Sequence, residues 1–360
     1  MSVVADVEAQ LLVVPLPAVM RGFGYTHISV PFVTVRDDDG VEGTGFAYTL
    51  DAGAAIVVRM LDEVVAPPLL GRDDAEWGAV RRDIISQTRR LSATGFTAAL
   101  SALDIAIWDL RATRAGVPLH ELLGGSPRGI PIYGSGRSGR ELTTDELIVR
   151  STDYLAEGYG GVKLSVGALG VEADLARIRT VRAAIGDEAP LMIDGSEQLT
   201  FGDALRLGHA AADLGLVWFE EPLLAEDVDG YAALSRQLAV PIATGEHLQS
   251  SAAFERYADH TSVAVYQPDA ALGGGITGML AVAAVLEARH RPIAWHSLPD
   301  LHIHLAVSTD GTRWVEDFPI LDGIIAEPLR PVAGTVRPPD RPGHGIVWDR
   351  DAIAHARVAG

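Results

Sequence analysis

Three carboxylates recur at one fixed interval, each at the end of a short apolar run. Asp194 closes Pro190-Leu191-Met192-Ile193, Glu220 closes Leu216-Val217-Trp218-Phe219, and Glu246 follows Val240-Pro241-Ile242-Ala243-Thr244-Gly245. Successive acids are 26 residues apart. That interval fits one strand, one helix and their two loops. Acids at the C-terminal ends of successive parallel strands converge when a sheet closes into a barrel. Three hard oxygen ligands around one point suit Mg²⁺. One spacing therefore constrains both a fold and a metal site.

The series extends in both directions. Ser262-Val263-Ala264-Val265-Tyr266-Gln267-Pro268 ends at Asp269, Arg291-Pro292-Ile293-Ala294-Trp295 at His296, and Thr312-Arg313-Trp314-Val315 at Glu316. Upstream, Gly161-Val162 leads into Lys163. Stretches of helical character lie between, at Val171 to Ile185, Asp203 to Leu214, Asp229 to Ala239 and Gly278 to Arg289. Alternating strand and helix predicts a parallel α/β sheet. A single strand-end acid is more often a helix cap than a catalytic group. Seven titratable residues at the ends of seven candidate strands are not explained that way. A solenoid could repeat at a similar interval, but the units differ in sequence and lack the leucine-rich consensus.

At 360 residues the chain has room for a barrel of about 200–250 residues and a second domain. It contains no cysteine, which excludes disulfides, thiolate ligands and a cysteine nucleophile, and fits a cytoplasmic location. A net charge of −19 argues against nucleic acid as a partner. No apolar run approaches the roughly 20 residues of a membrane span, so no membrane association is expected. The first residues lack a basic stretch followed by an apolar one, so no secretory signal is expected. An anionic substrate then needs local positive charge from a metal, lysine or arginine.

Residues 1–125 differ in character. Ile28 to Val35 alternates loosely, Asp37-Asp38-Asp39-Gly40 reads as a turn, and Val41 to Tyr48 as the return strand of a hairpin. A helix from about Thr97 to Ala115 carries Leu100, Leu103, Ile107 and Leu110 on one face and is stopped by Gly116-Val117-Pro118. This predicts an α+β domain ahead of the barrel, with the boundary near Leu123-Gly124-Gly125-Ser126-Pro127 and the first barrel strand at Ile130-Pro131-Ile132-Tyr133. The barrel is assigned to 126–325. Residues 326–360, rich in proline and glycine, are expected to return to the first domain.

These motifs together resemble the enolase superfamily, and within it the mandelate racemase/muconate lactonizing enzyme-like proteins of the mandelate racemase subgroup, which includes acid-sugar dehydratases. Ala106-Ile107-Trp108-Asp109 and Leu122-Leu123-Gly124-Gly125 resemble the family's domain junction, and Val162-Lys163-Leu164-Ser165-Val166-Gly167 its second-strand motif. Ile193-Asp194, Trp218-Phe219-Glu220-Glu221-Pro222 and Thr244-Gly245-Glu246 resemble its metal-ligand motifs, and Gln267-Pro268-Asp269 with Gly273-Gly274-Gly275-Ile276-Thr277 its sixth-strand motif. The resemblance covers nearly the whole chain. It implies an N-terminal α+β capping domain and a modified (β/α)₇β TIM-type barrel. It also implies one Mg²⁺ held by Asp194, Glu220 and Glu246, with Glu221 as runner-up for Glu220.

The shared chemistry is removal of a proton α to a carboxylate, giving an enediolate whose charge the metal opposes. Asp269 and His296 resemble the subgroup's dyad, in which a carboxylate fixes the imidazole tautomer and raises basicity at the far nitrogen. Lys163 and Glu316 resemble the groups that contact the substrate carboxylate. His302 and His304 read as packing or loop histidines.

Two departures shape the expected reaction. The subgroup's racemases carry Lys-x-Lys on the second strand, but here Ser165 takes the place of the second lysine. A serine without a partner base cannot take an α-proton at a useful rate. That favours a one-base reaction: His296 abstracts the α-proton, then protonates a departing β-hydroxyl, giving a 2-keto-3-deoxy acid. Ser196 stands where the family often has asparagine. Ser165 and Ser196 are candidate substrate-binding residues, with Arg21, Tyr25 and His27 of a loop expected to cover the site. The leading expectation is a dehydratase acting on a sugar acid, a small carboxylate. A racemase, epimerase or cycloisomerase of the subgroup is the alternative, and a non-catalytic metal-dependent sugar-acid binder a third. A homo-oligomer, dimer or octamer, follows by resemblance alone.

Overall fold

A computed structural model describes residues 2–17, 20, 25–50, 52–88 and 93–358. The N-terminal part is an antiparallel sheet of β1 (Val4–Pro15), β2 (His27–Asp37), β3 (Glu42–Phe46) and the short β4 (Thr49–Leu50), with β2 paired to all three others. The hairpin of β2 and β3 follows the expected turn, where Asp37 accepts hydrogen bonds from the backbone N–H of Asp39 and Val41. The edge strand β1 was not anticipated, because its half-exposed residues do not alternate cleanly. Helices α1 (Ala54–Met60), α2 (Trp77–Gln87), α3 (Ala93–Ala115) and α4 (Leu119–Leu122) complete this part.

Helix α3 lies directly on β3. A Cβ at Gly43 or Gly45 would overlap the backbone of Ala106 and Leu110, or of Ala102 and Ala106. Only glycine permits this approach of strand to helix.

Eight parallel strands follow, β5 (Ile130–Gly134), β6 (Val162–Ser165), β7 (Leu191–Asp194), β8 (Leu216–Glu220), β9 (Ile242–Thr244), β10 (Val265–Tyr266), β11 (Ile293–Trp295) and β12 (Thr312–Asp317). Pairing of β12 with β5 closes them into a barrel. Seven helices alternate with the strands: α5 (Thr144–Ala156), α6 (Val171–Ile185), α7 (Phe201–Ala210), α8 (Val228–Gln237), α9 (Ser251–His260), α10 (Gly275–Glu287) and α11 (Pro299–Ser308). The architecture is the expected (β/α)₇β barrel with an N-terminal capping domain.

Local chemistry sets where the helices begin. Side chains of Thr143, Thr200, Asp227 and Ser250 accept backbone N–H groups of the first turns of α5, α7, α8 and α9. These caps start α7 two residues, and α8 one residue, ahead of the positions read from apolar periodicity.

Strand alternation organises the barrel interior. Tyr133, Met192, Trp218, Ala243 and Ala294 form one buried apolar cluster, with Trp314 packed against it. The Tyr133 ring meets Trp218 edge-on at 5.3 Å and Trp314 at 6.1 Å. Because side chains two apart on a strand share a face, the next inward positions are Ser135, Asp194, Glu220, His296 and Glu316. The aromatic plug is thus a low-dielectric floor beneath a ring of polar groups.

The two parts are joined by part-buried polar contacts. Trp108 Nε1 donates to Thr277 Oγ1 at 2.9 Å, and Asp104 Oδ1 accepts Thr277 N at 2.9 Å. After β12 the chain adds β13 (Thr335–Val336) antiparallel to β5 and ends in α12 (Arg350–Ala356). Trp348 sits edge-on between Phe32 and Phe46 at 5.0 and 5.6 Å and donates Nε1–H to Thr44 Oγ1. The C-terminal segment thus packs on the capping sheet. No helix among the described residues is long and apolar enough to cross a membrane.

Candidate active site

A cavity of about 680 Å³ opens over the C-terminal ends of the barrel strands, between the barrel and α1. Its lining includes Lys163, Ser165, Asp194, Ser196, Glu246, His296 and Glu316, together with Tyr25. Strand order brings these together: Ser165 pairs in register with Asp194, and Asp194 with Glu220. The sharp bend after β9 needs Gly245 at φ 147°, where a Cβ would press on Gln267 N and the Phe254 ring.

Glu220 lies just below the cavity wall, 1% exposed. Its Oε1 is 2.5 Å from Lys163 Nζ, and its Oε2 accepts Trp218 Nε1 at 2.9 Å. Lys163 Nζ also lies 2.8 Å from Glu316 Oε1 and 3.7 Å from Asp194 Oδ2. One buried ammonium thus faces three carboxylates. Burial opposes its charge, but Glu220, Glu316 and Asp194 outweigh burial and hold its pKa well above the ordinary lysine range. Burial pushes the Glu220 pKa up to about 8 and raises that of Asp194, in each case against the pull of Lys163.

Glu316 is fixed on both oxygens: Ser135 Oγ donates to Oε1 at 2.5 Å and Ser297 N to Oε2 at 3.0 Å. Burial disfavours its charge, but Lys163 and His296 hold its pKa below the usual carboxylate range.

The expected dyad forms. His296 Nδ1 lies 2.8 Å from Asp269 Oδ2, and its Nε2 faces Glu246 Oε2 at the cavity wall. With Asp269 on Nδ1, that nitrogen carries the proton and Nε2 points to the cavity. Burial disfavours the imidazolium, but Glu246 and Asp269 hold the His296 pKa well above the ordinary histidine range. Asp269 Oδ1 accepts Ala271 N at 2.7 Å, and Tyr48 from the capping domain donates to Oδ2 at 2.9 Å. His302 stands behind the dyad, taking Ala270 N on Nε2 at 2.9 Å with Nδ1 on Ser297 O at 3.0 Å. That makes it a neutral buried histidine.

Glu220 and Glu221 point apart. The Glu221 carboxylate reaches Thr244 Oγ1, Gly245 N and, at 2.7 Å, His247 Nδ1. Glu197, Glu221 and His247 form a tight group of potential ligands just past the three predicted positions. In that group His247 already gives Glu221 a cationic partner, since Glu221 holds its pKa up at about 10 against burial. Asp194, Glu220 and Glu246 offer carboxylate oxygen only, at the ends of three adjacent strands, which is the donor chemistry a hard divalent cation takes. Backbone strain gathers here as well: Ser196, Glu197, Glu221, Ser297 and Leu298 all have positive φ.

His27 pairs with Thr26 Oγ1 at 3.1 Å and is not among the residues lining the cavity. Arg21 lies outside the described residues. Sequence reasoning missed Tyr48, Ser135, Arg140 and His247. Ser135 was findable, since it follows Tyr133 by one strand repeat. Tyr48 carried no signal, being 221 residues from its partner.

Residues 6–124 match the Mandelate racemase / muconate lactonizing enzyme N-terminal domain, and residues 146–352 match the Enolase C-terminal domain-like family. The chain belongs to the mandelate racemase/muconate lactonizing enzyme family of the enolase superfamily. It is 33% identical to 3,6-anhydro-alpha-L-galactonate cycloisomerase of Streptomyces coelicolor, over 98% of this chain and 99% of that protein. It is 32% identical to L-talarate/galactarate dehydratase of Salmonella typhimurium, over 91% of this chain and 82% of that one. Among solved structures it resembles L-talarate dehydratase from Polaromonas sp. JS666 complexed with Mg and L-glucarate. That match has a TM-score of 0.92 at 32% identity and covers 100% of this chain and 98% of the other. Family members of this kind are hydro-lyases and isomerases acting on sugar acids, and this chain keeps the family's architecture over its whole length.

Proposed function

We propose that this protein is a Mg²⁺-dependent dehydratase of a sugar acid. The observation that carries this reading is the asymmetry of the cavity. A carboxylate-anchored imidazole, His296, presents Nε2 to the cavity, while the second barrel strand lines it with Lys163, already engaged by three carboxylates, and with Ser165 where a second lysine would stand. One base on one face suits elimination rather than two-base racemisation.

Asp194, Glu220 and Glu246 are the residues proposed to hold Mg²⁺. Held there, the ion would supply a Lewis acid for the substrate carboxylate. Lys163 and Glu316 are assigned to the substrate carboxylate, with Lys163 as a fixed positive charge where negative charge builds. His296 Nε2 takes the α-proton, and the electron pair forms the Cα–Cβ double bond as the β-oxygen departs. The same Nε2 returns its proton to that oxygen, water leaves, and the enol becomes a 2-keto-3-deoxy acid. Asp269 holds the imidazole in the required tautomer throughout. Ser165, Ser196 and Tyr25 are assigned to substrate binding from their place on the cavity wall, and Arg21 and His27 from the sequence alone.

A cycloisomerase is the second reading, favoured by the near full-length similarity to the Streptomyces coelicolor enzyme. Its chemistry would share the α-proton step, with a ring oxygen departing in place of hydroxide. The same proposal divides the chain into a capping domain at 1–125, a barrel at 126–325 and a returning segment at 326–360. A cytoplasmic location, supported by the cysteine-free composition, and a homo-oligomeric state, dimer or octamer, supported by the family resemblance, belong to it too.

Proton NMR with Mg²⁺ and a library of aldonic, aldaric and uronic acids and their anhydro forms in D₂O tests the reading. A 2-keto-3-deoxy product that disappears with His296→Asn is the expected result. Ring opening without water loss selects the cycloisomerase, and full dehydratase activity in His296→Asn sinks the one-base mechanism.

A further inference from the structure

We propose that Arg140 reads the far end of the substrate, and that the preferred substrate is an aldaric acid, whose second carboxylate that guanidinium binds. The inference rests on the sugar-acid reading above and narrows its substrate class.

Four cationic or potentially cationic side chains line the cavity among the described residues: Arg140, Lys163, His247 and His296. Three already face carboxylates. Lys163 lies within 4 Å of Glu220, Glu316 and Asp194, His296 of Asp269, Glu246 and Glu316, and His247 of Glu221, Glu246 and Glu197. Arg140 has no such partner among the described residues, and its Nε is buried without a hydrogen bond. A guanidinium stays charged at any working pH, so an unpaired one in a partly enclosed wall is a standing cost unless a ligand completes it.

The loop that carries Arg140 is held in place while the side chain is left free. Arg177 donates its guanidinium to the carbonyls of Arg140 and Leu142. Ser138 N bonds Ser135 O upstream, and the Thr143–Glu146 capping box begins α5 just downstream. The neighbouring Arg137 is spent elsewhere, paired with Glu157 and lying 4.3 Å over the Tyr154 ring. The backbone of Arg140 is thus fixed while its guanidinium, half-buried at the cavity wall, remains available to a ligand.

The capping domain adds no cation to this wall among the described residues. It contributes Leu50, Ile56, Val57 and Met60, and its polar groups, Tyr25, Tyr48 and Thr49, are uncharged. Such a wall leaves the charge of a buried anion unopposed. With the reacting carboxylate assigned to Lys163 and the metal position, a second carboxylate in the same cavity has Arg140 to meet. The planar fork matches a carboxylate on two parallel N–H bonds.

The test compares matched acids, galactarate against galactonate, in the presence of Mg²⁺. Affinities are measured by calorimetry on His296→Asn, so that no turnover intervenes, and kcat/KM is measured on the active enzyme. Galactarate is expected to bind at least tenfold tighter than galactonate, and Arg140→Gln to erase that preference. On the active enzyme Arg140→Gln should lower kcat/KM for the diacid by about 100-fold, mainly through KM, with Arg140→Lys recovering part of it. Its effect on the monoacid should be threefold or less. Equal affinities for the two acids, or equal losses on both, overturn the assignment. Water loss from aldonates with no effect of Arg140→Gln leaves the dehydratase standing and removes Arg140. A diacid preference that depends on Arg140 without any water loss does the reverse.

Discussion

The hydroxyl of Tyr48 donates to Asp269 Oδ2 at 2.9 Å, the same oxygen that lies 2.8 Å from His296 Nδ1. A capping-domain side chain thus completes the carboxylate that orients the base in the barrel. Burial works against the Asp269 charge, yet the hydrogen bonds from His296 and Tyr48 help keep its pKa below the usual carboxylate range. Tyr48→Phe removes one charge-assisted hydrogen bond of about 1.5–3 kcal/mol. The expected result is a drop in kcat of roughly 10- to 100-fold with little change in KM, since the hydroxyl acts through Asp269. Steady-state kinetics on the identified substrate checks it.

The metal position has a direct stability readout. Mg²⁺ at 100 times its Kd should stabilise the fold by about 2.7 kcal/mol, seen as a rise in melting temperature. Asp194→Asn and Glu246→Gln should abolish that rise, and Glu197→Gln should leave it intact. The opposite pattern would place the ion in the Glu197–Glu221–His247 group.

Ser165 is expected to be dispensable as an acid or base. Ser165→Ala should keep kcat within about threefold, because an unassisted hydroxyl adds no proton-transfer catalysis. Unreacted substrate recovered from D₂O should show no epimer. A loss of 100-fold or more would mean that the hydroxyl does carry a proton.

Stability should respond to pH through two buried groups of opposite sign. Burial lowers the His304 pKa to about 3, while its ring stays neutral between His120 N and His344 O. The unfolded chain binds that proton from about pH 6.5 downward, so this contribution is full above pH 6.5 and drains away toward pH 3. Burial raises Asp300 to about 7. The folded state then holds a proton that the unfolded chain releases near pH 4, so this contribution is full below pH 4 and is lost as pH rises to 7. Asp300→Asn should therefore improve stability at pH 8 relative to pH 5 when compared with wild type. Urea unfolding at the two pH values measures it, and an unchanged difference would show that Asp300 does not titrate in this range.

Gly45 tests the packing of the cap. A Cβ there would overlap Ala102 O and Ala106 N, backbone atoms of α3 that cannot step aside. Gly45→Ala should cost about 1–3 kcal/mol. Because β3 leads into the segment carrying Tyr48, it should also lower kcat. Thermal melting and kinetics on the same preparation report both.

Much of this protein is written locally. Seven of the eight barrel strands lead to a titratable residue in the sequence, and strand alternation turns Asp194, Glu220, His296 and Glu316 inward, so these were legible with Lys163 together with the barrel that gathers them. The motif resemblance pointed to the dyad of Asp269 and His296, and the geometry brings the pair together. Helix starts were less legible, because a cap such as Thr200 or Asp227 acts outside the apolar periodicity.

What the sequence by itself determined is the period of the chain and the chemical type at each strand end, since both follow from neighbours a few residues away. What only the tertiary structure decided is how those groups are completed. Tyr48 on Asp269 and Trp348 between Phe32 and Phe46 are relations between segments far apart in the chain, and so is the want of a partner for Arg140 among the described residues. Such contacts arise from how the cap closes over the barrel, and that closure is set by packing over the whole interface. No local pattern encodes it.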